Sequence, residues 1–189
     1  MVVIRTTLLE ADMRVCIDAG HGGRDSGAVG TKPFVLEEKT VNLAISLLLE
    51  QELRAKGHEV VMTRRRDWCV SLEARADFAN RLGVDFFISI HANASYDPAT
   101  QGMEVFHFPG GTISNRYARN ILTSMLRQFP DHIDRGVKEA NFAVLRLTDM
   151  PAVLVECEFI TNPQQLRFLS SSDRQAELAR AIATGIHAA

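Results

Sequence analysis

The stretch Val15-Cys16-Ile17-Asp18-Ala19-Gly20-His21-Gly22-Gly23, running on to Ala28-Val29-Gly30, decides how the rest of the chain reads. A short apolar run breaks into a glycine-rich turn, and a histidine stands at the break. Glycines at 20, 22 and 23 open backbone conformations closed to other residues, so His21 can be held at the mouth of a strand rather than along it. A Gly-His-Gly turn alone is often only a turn. A second histidine closes another apolar run, Ser89-Ile90-His91-Ala92-Asn93, and carboxylates are available at Glu37 or Glu38 and at Glu156. Two histidines and one glutamate make a catalytic zinc set that leaves a coordination position for water.

Outward from that stretch, strand and helix patterns alternate. Val2-Val3-Ile4 reads as a short extra strand, and Met13 to Ile17 as the first strand of the core, apolar enough to be covered on both faces. From Glu38 to Lys56, Val41, Ile45, Leu48 and Leu49 recur at helical steps, and Gly57 is a stop. Acids in the first turn also suit the positive end of that helix, which is a purely structural use for Glu37 and Glu38. Glu59 to Thr63 reads as a strand, Ser71 to Leu82 as a helix capped by Ser71, and Asp85 to His91 as a strand. Met103 to Phe108 is a further strand and Thr112 to Gln128 a helix. Residues 130–140 read as a loop, Phe142 to Leu145 and Ala152 to Cys157 as strands, and Asp173 to His187 as a closing helix. The pattern predicts an α/β fold: one domain with a mostly parallel central sheet flanked by helices on both faces. Ligands bind beyond the carboxyl ends of such strands, where His21, His91 and Glu156 all fall.

Composition narrows the function. A chain of 189 residues with 46% apolar content is large enough for one well-packed core. The net charge of −2, with arginines scattered rather than gathered in a stripe, argues against a nucleic-acid partner. No apolar run approaches a membrane span, so membrane insertion is not expected. Met1 to Met13 lacks the features of a secretory signal. The chain therefore reads as made in the cytoplasm and released by another route, or as part of an exported protein. Cys16, Cys69 and Cys157 are odd in number and irregular in spacing, so no disulfide framework is expected. Cys16 and Cys157 lie in apolar runs and read as small buried hydrophobes.

The blocks IDAGHGGRDSGAVG, EEKTVNLA, VMTRRRD, SLEARADFAN, FISIHANAS, GMEVFHF and PAVLVECEFITN follow one another in order. In this series the chain resembles the zinc-dependent N-acetylmuramoyl-L-alanine amidases of the amidase 3 family, over nearly its whole length from Met13. The resemblance implies Zn²⁺ ligands at His21, Glu38 and His91, with Glu38 chosen over Glu37 because it directly precedes Lys39. It places the catalytic carboxylate at Glu156, which would take a proton from the attacking water and pass it to the departing amine. The implied substrate is peptidoglycan, cut at the amide between N-acetylmuramic acid and L-alanine, by a phage endolysin or bacterial autolysin acting at the cell wall. Residues 1–189 would form one amidase catalytic domain, with 1–12 as an N-terminal extension, and a monomer is the default for a lytic enzyme of this size.

Three readings stay open beside it. A zinc peptidase acting on peptidoglycan stem peptides would use the same residue types at other spacings, and a wall-binding module would lack ligands. Glu156 itself would be explained structurally by an ion pair with an arginine, since burial without a partner is costly. Asp18 reads either as a residue orienting a ligand or as a strand-end acid satisfying amides. Asn93 and the Asn141-Phe142 stretch are candidates for the substrate groove, and no insertion that would cover the site is visible. His58, His107, His132 and His187 match no ligand position and read as surface or packing residues. Where the family commonly has glycine two residues after the catalytic glutamate, this chain has Glu158. That residue would tune Glu156, touch substrate or turn aside through a bulge.

Overall fold

The computed structural model describes residues 12–189. The strand expected at Val2-Val3-Ile4 lies outside the described residues. In chain order the elements are β1 (Arg14–Ala19), β2 (Val29–Gly30), β3 (Leu36–Glu37), α1 (Glu38–Ala55), β4 (Glu59–Met62), α2 (Leu72–Leu82) and β5 (Phe86–Asn93). They continue with β6 (Met103–His107), α3 (Thr112–Gln128), β7 (Asp134–Glu139), α4 (Ala143–Arg146), β8 (Ala152–Phe159), α5 (Pro163–Ser170) and α6 (Ser172–His187).

Among the described residues six strands form one sheet in the order β4-β1-β5-β8-β6-β7, and β2 pairs with β3 in a small ribbon. β4, β1, β5 and β8 run parallel. β6 is antiparallel to β8, and β7 is parallel to β6. The chain leaves β1 through α1 to reach β4 on one side, then returns through α2 to β5 on the other. That reversal opens a crevice beyond the carboxyl ends of β1 and β5, where such sheets bind ligands.

One face of the sheet is covered by α1, α3 and α6 around the main core. Val41, Ile45, Leu49 and Leu53 of α1 are fully buried at four-residue steps, and each such side chain contributes roughly 1.5–3 kcal/mol of burial. The other face is covered at one end by α2 and α4, around Cys16, Phe87, Val144 and Leu154. Ser71 caps α2 by accepting from the Ala74 amide at 3.2 Å, as expected.

Two expectations fail. Residues 130–140 are not all loop, because Asp134–Glu139 forms the edge strand β7. Its charged sequence carries no apolar alternation, and charged residues are what an edge strand tolerates. The run Phe142 to Leu145 is no strand but enters a single helical turn, α4, whose Val144 and Leu145 pack against α2. A four-residue apolar run fits either structure, and here the packing decides.

Candidate metal centre and catalytic cleft

The glycine-rich loop after β1 is built so that His21 faces inward. His21 takes a left-handed φ of 62°, rare outside glycine. Gly20 is required for space rather than for conformation: a Cβ there would lie 2.3 Å from His91 Cε1. Two buried arginines hold the loop by its carbonyl oxygens. Arg64 donates to Ala19 and Gly20, and Arg75 donates to Ala19 and His21. Asp18, 1% exposed, balances Arg75 at 2.7 Å and also accepts from Thr63 Oγ1 and Ser89 Oγ. Asp18 therefore neither touches a histidine nor satisfies amides; it anchors the arginine that shapes the loop.

Three predicted residues converge. His21 Nε2 lies 3.1 Å from Glu38 Oε2, and His91 Nδ1 lies 2.9 Å from Glu38 Oε1. The three donor atoms lie within 4.8 Å of one another. Glu38 starts α1 and is 4% exposed. It accepts from the Ala28 and Ala92 amides and from Asn42 Nδ2. Burial opposes its ionisation, but the His21 and His91 hydrogen bonds prevail and hold its carboxyl well below the usual range. Burial likewise works to lower the His21 pKa, and Glu38 and then Asp25 raise it above the ordinary imidazole value. Two imidazoles and one carboxylate, converging from separate elements with part of both histidine rings exposed, suit a tetrahedral zinc ion with one position left for water. Glu37, the competing ligand, is instead paired with Lys39 at 3.3 Å.

Glu156 is in register with His91 on the neighbouring strand. It borders a cleft of about 580 Å³, shared with His21, His91, Phe142, Val144 and Leu154. Its Oε2 is buried with no hydrogen-bond partner. The arginine ion pair that would explain it structurally is absent among the described residues. Burial, then the negative charges of Glu38 and Glu104, push its carboxyl pKa well up. A carboxyl perturbed this way, in a cleft beside two histidines, is a candidate for proton transfer.

The other expectations resolve case by case. Between His91/Asn93 and Glu156/Phe159 the ladder gains one residue on β8, a bulge. Glu158 is thereby turned away from the cleft and buried, paired with His132 at 2.9 Å and accepting from the Gly102 amide. Phe142 lines the cleft. Asn93 does not; its Nδ2 donates to Glu104. Asn141 bonds Arg146. His107 is buried between Phe108 and Asn115, and His58 is buried against His187. Cys16 and Cys157 are buried free thiols whose pKa values burial raises.

Sequence reasoning missed Asp25 and the Arg64–Arg75 pair. Asp25 Oδ2 accepts from His21 Nδ1 at 2.9 Å, which fixes the ring with Nε2 toward Glu38. Its signal was its place four residues after His21 in a tight loop. The signal for Arg75 was Asp18, an acid inside an apolar strand that demands a cation.

The family model described as N-acetylmuramoyl-L-alanine amidase matches residues 15–188. A sporulation-specific N-acetylmuramoyl-L-alanine amidase of Bacillus subtilis is 38% identical over 180 residues, covering 94% of this chain and 68% of the relative. Two solved structures superpose closely. AmiC2 of Nostoc punctiforme, an N-acetylmuramoyl-L-alanine amidase, gives a TM-score of 0.86 at 36% identity, covering 93% of this chain and 96% of its own. An N-acetylmuramoyl-L-alanine amidase from Clostridium difficile 630 gives 0.89 at 34%, covering 93% and 95%.

Proposed function

The chain belongs to the N-acetylmuramoyl-L-alanine amidase family, and from that premise we propose that it is a zinc-dependent peptidoglycan amidase. It cuts the amide between the lactyl group of N-acetylmuramic acid and L-alanine. His21 Nε2, Glu38 and His91 Nδ1 hold Zn²⁺, which when bound acts as a Lewis acid that acidifies water and polarises the amide carbonyl. Asp25 keeps the proton on His21 Nδ1, leaving Nε2 as the donor atom. Glu156 takes the proton released as water attacks the carbonyl carbon and returns it to the alanine nitrogen as the C–N bond breaks. Phe142, Val144 and Leu154 form an apolar wall that limits water around the reacting amide.

The observation that carries this reading is the unpartnered, buried Glu156 Oε2 in the same cleft as the two histidines. The test is release of N-terminal L-alanine from purified peptidoglycan, with reducing ends followed in parallel. New alanine termini without new reducing ends, lost on chelation, restored by zinc and absent in Glu156→Gln, are the expected result. A different new N-terminus would move the cut into the stem peptide. Binding to the wall with no release of any kind would make the chain a wall-binding module.

A further inference from the structure

Beyond the cleft the sheet continues from β8 through β6 to the edge strand β7. His91, Glu156 and Glu104 stand side by side on β5, β8 and β6, because His91 is in register with Glu156 and Glu156 with Glu104. Residues directly opposite share one face. Glu104 is 3% exposed and holds three donors. Asn93 Nδ2 reaches its Oε1 at 2.6 Å, Arg135 Nε reaches its Oε2 at 3.0 Å, and Lys138 Nζ pairs with the same oxygen. Two cations on one carboxylate leave one positive charge unbalanced within the cluster.

Both cations sit on β7 and keep about a third or more of their side-chain surface exposed, 32% for Arg135 and 40% for Lys138. Each is braced by a ring: the Arg135 guanidinium lies 4.8 Å from the centre of Phe159, and the Lys138 ammonium 5.8 Å from that of Phe106. The acids of β7 are turned to backbone amides, Asp134 to Gly136 and Glu139 to Gly110. Phe106 packs edge-on against Phe142 at 5.2 Å, and Phe142 walls the cleft. The cationic cluster thus adjoins the cleft on the side of Glu156 away from His91.

We propose that Arg135 and Lys138, seated on Glu104, form a carboxylate-binding subsite that takes the terminal carboxylate of the substrate's peptide limb. This rests on the reading of the chain as an amidase of muramoyl peptides. A peptide joined to a lactyl group through its amino end presents a free carboxylate at the other. β7 lies two strand spacings from β8, about 10 Å, and an extended peptide covers about 3.3 Å per residue. The subsite therefore reaches about three residues from the scissile amide. Ammonium and guanidinium groups already held in place form strong charge-assisted bonds to a carboxylate.

The test is steady-state hydrolysis of a muramoyl tripeptide with a free terminal carboxylate and of the same compound as its carboxamide, by the zinc-loaded protein. The wild type should show kcat/KM about tenfold higher for the acid, mostly through KM. In Lys138→Gln and in Arg135→Gln the ratio of acid to carboxamide should fall toward one. General damage to the fold slows both substrates and leaves the ratio in place, so a retained ratio in both variants overturns the subsite. Equal rates for acid and carboxamide in the wild type overturn it too, while cleavage of whole peptidoglycan keeps the amidase reading. No cleavage of the two compounds or of peptidoglycan overturns both.

Discussion

The floor beneath the β1 loop and the β8 wall of the cleft each place a carboxylate in an apolar strand, and they treat it in opposite ways. Asp18 has an arginine and two hydroxyls within 2.7 Å, and its charge is fully compensated. Glu156 has a buried oxygen with no donor, and the charged neighbours acting on it, Glu38 and Glu104, are both negative. Leaving a buried polar group unpaired costs on the order of 1–3 kcal/mol, so Glu156 weakens the fold where Asp18 supports it. The contrast separates an acid that holds backbone in place from an acid whose oxygen faces the cleft without a partner, the one proposed to carry the proton.

The largest expected effect tests the functional side of that contrast. Glu156→Gln should lower turnover by about 10²–10⁴-fold, the range for removing a general acid–base group, with zinc content unchanged by elemental analysis. Turnover within threefold of wild type would remove Glu156 from the chemistry. The structural side comes next. Asp18→Ala leaves Arg75 buried without a counter-charge, and breaking a buried pair costs about 3–5 kcal/mol. Denaturant unfolding of Asp18→Ala should show that loss, whereas Glu156→Gln should show none. An Asp18→Ala protein as stable as wild type would mean that Arg75 finds another partner.

The same contrast explains what the sequence made legible. An acid within Val15 to Ala19 and another within Ala152 to Phe159 both stand out in the residues, but which one has an arginine depends on α2 packing across the sheet. The proposed ligands were readable because each ends or begins an element: His21 after β1, Glu38 at the start of α1, His91 near the end of β5. The parallel core was readable from the same alternation. β7 was not, because DRGVKE offers the core only Val137 and pairs along one edge with β6. The reversed direction of β6 and β7 has no local signal either, since strand direction is set by how a connection crosses the sheet. Pro163–Ser170 folds as a helix behind an Asn162 cap, and the Asn-Pro pair is its start signal in the sequence.

Asp25 lies between the two kinds of acid, paired with His21 but more than half exposed. It should act through the metal centre. Asp25→Ala should weaken zinc binding by about 10–100-fold, the usual cost of losing a ligand's outer partner, with little change in unfolding free energy. Competition against a chromophoric chelator measures it. An unchanged zinc affinity would show that the loop alone orients His21.

The smallest effect sharpens the contrast most, because it reads the sign of the Glu156 environment directly. Burial, then Glu38 and Glu104, raise the Glu156 pKa, so the folded protein holds this proton more tightly than the unfolded chain does. Its contribution to stability is whole below the unfolded carboxyl value of about 4.3 and is lost as pH rises toward the folded value. Glutamine has no proton to lose. In chelator-treated protein, Glu156→Gln should therefore have the higher Tm at pH 7, and the gap should close as pH falls toward 4. Each kcal/mol corresponds to about 2–4 °C in a chain of this size. Glu38 titrates in the opposite sense, its lowered pKa giving stability that is lost as pH falls. His21, with its raised pKa, gives stability that is lost as pH rises. Both are present in the two proteins, so the difference in Tm reads residue 156 together with its coupling to Glu38. A gap of opposite sign, or one that does not vary with pH, would mean that Glu156 is paired in solution and belongs with Asp18.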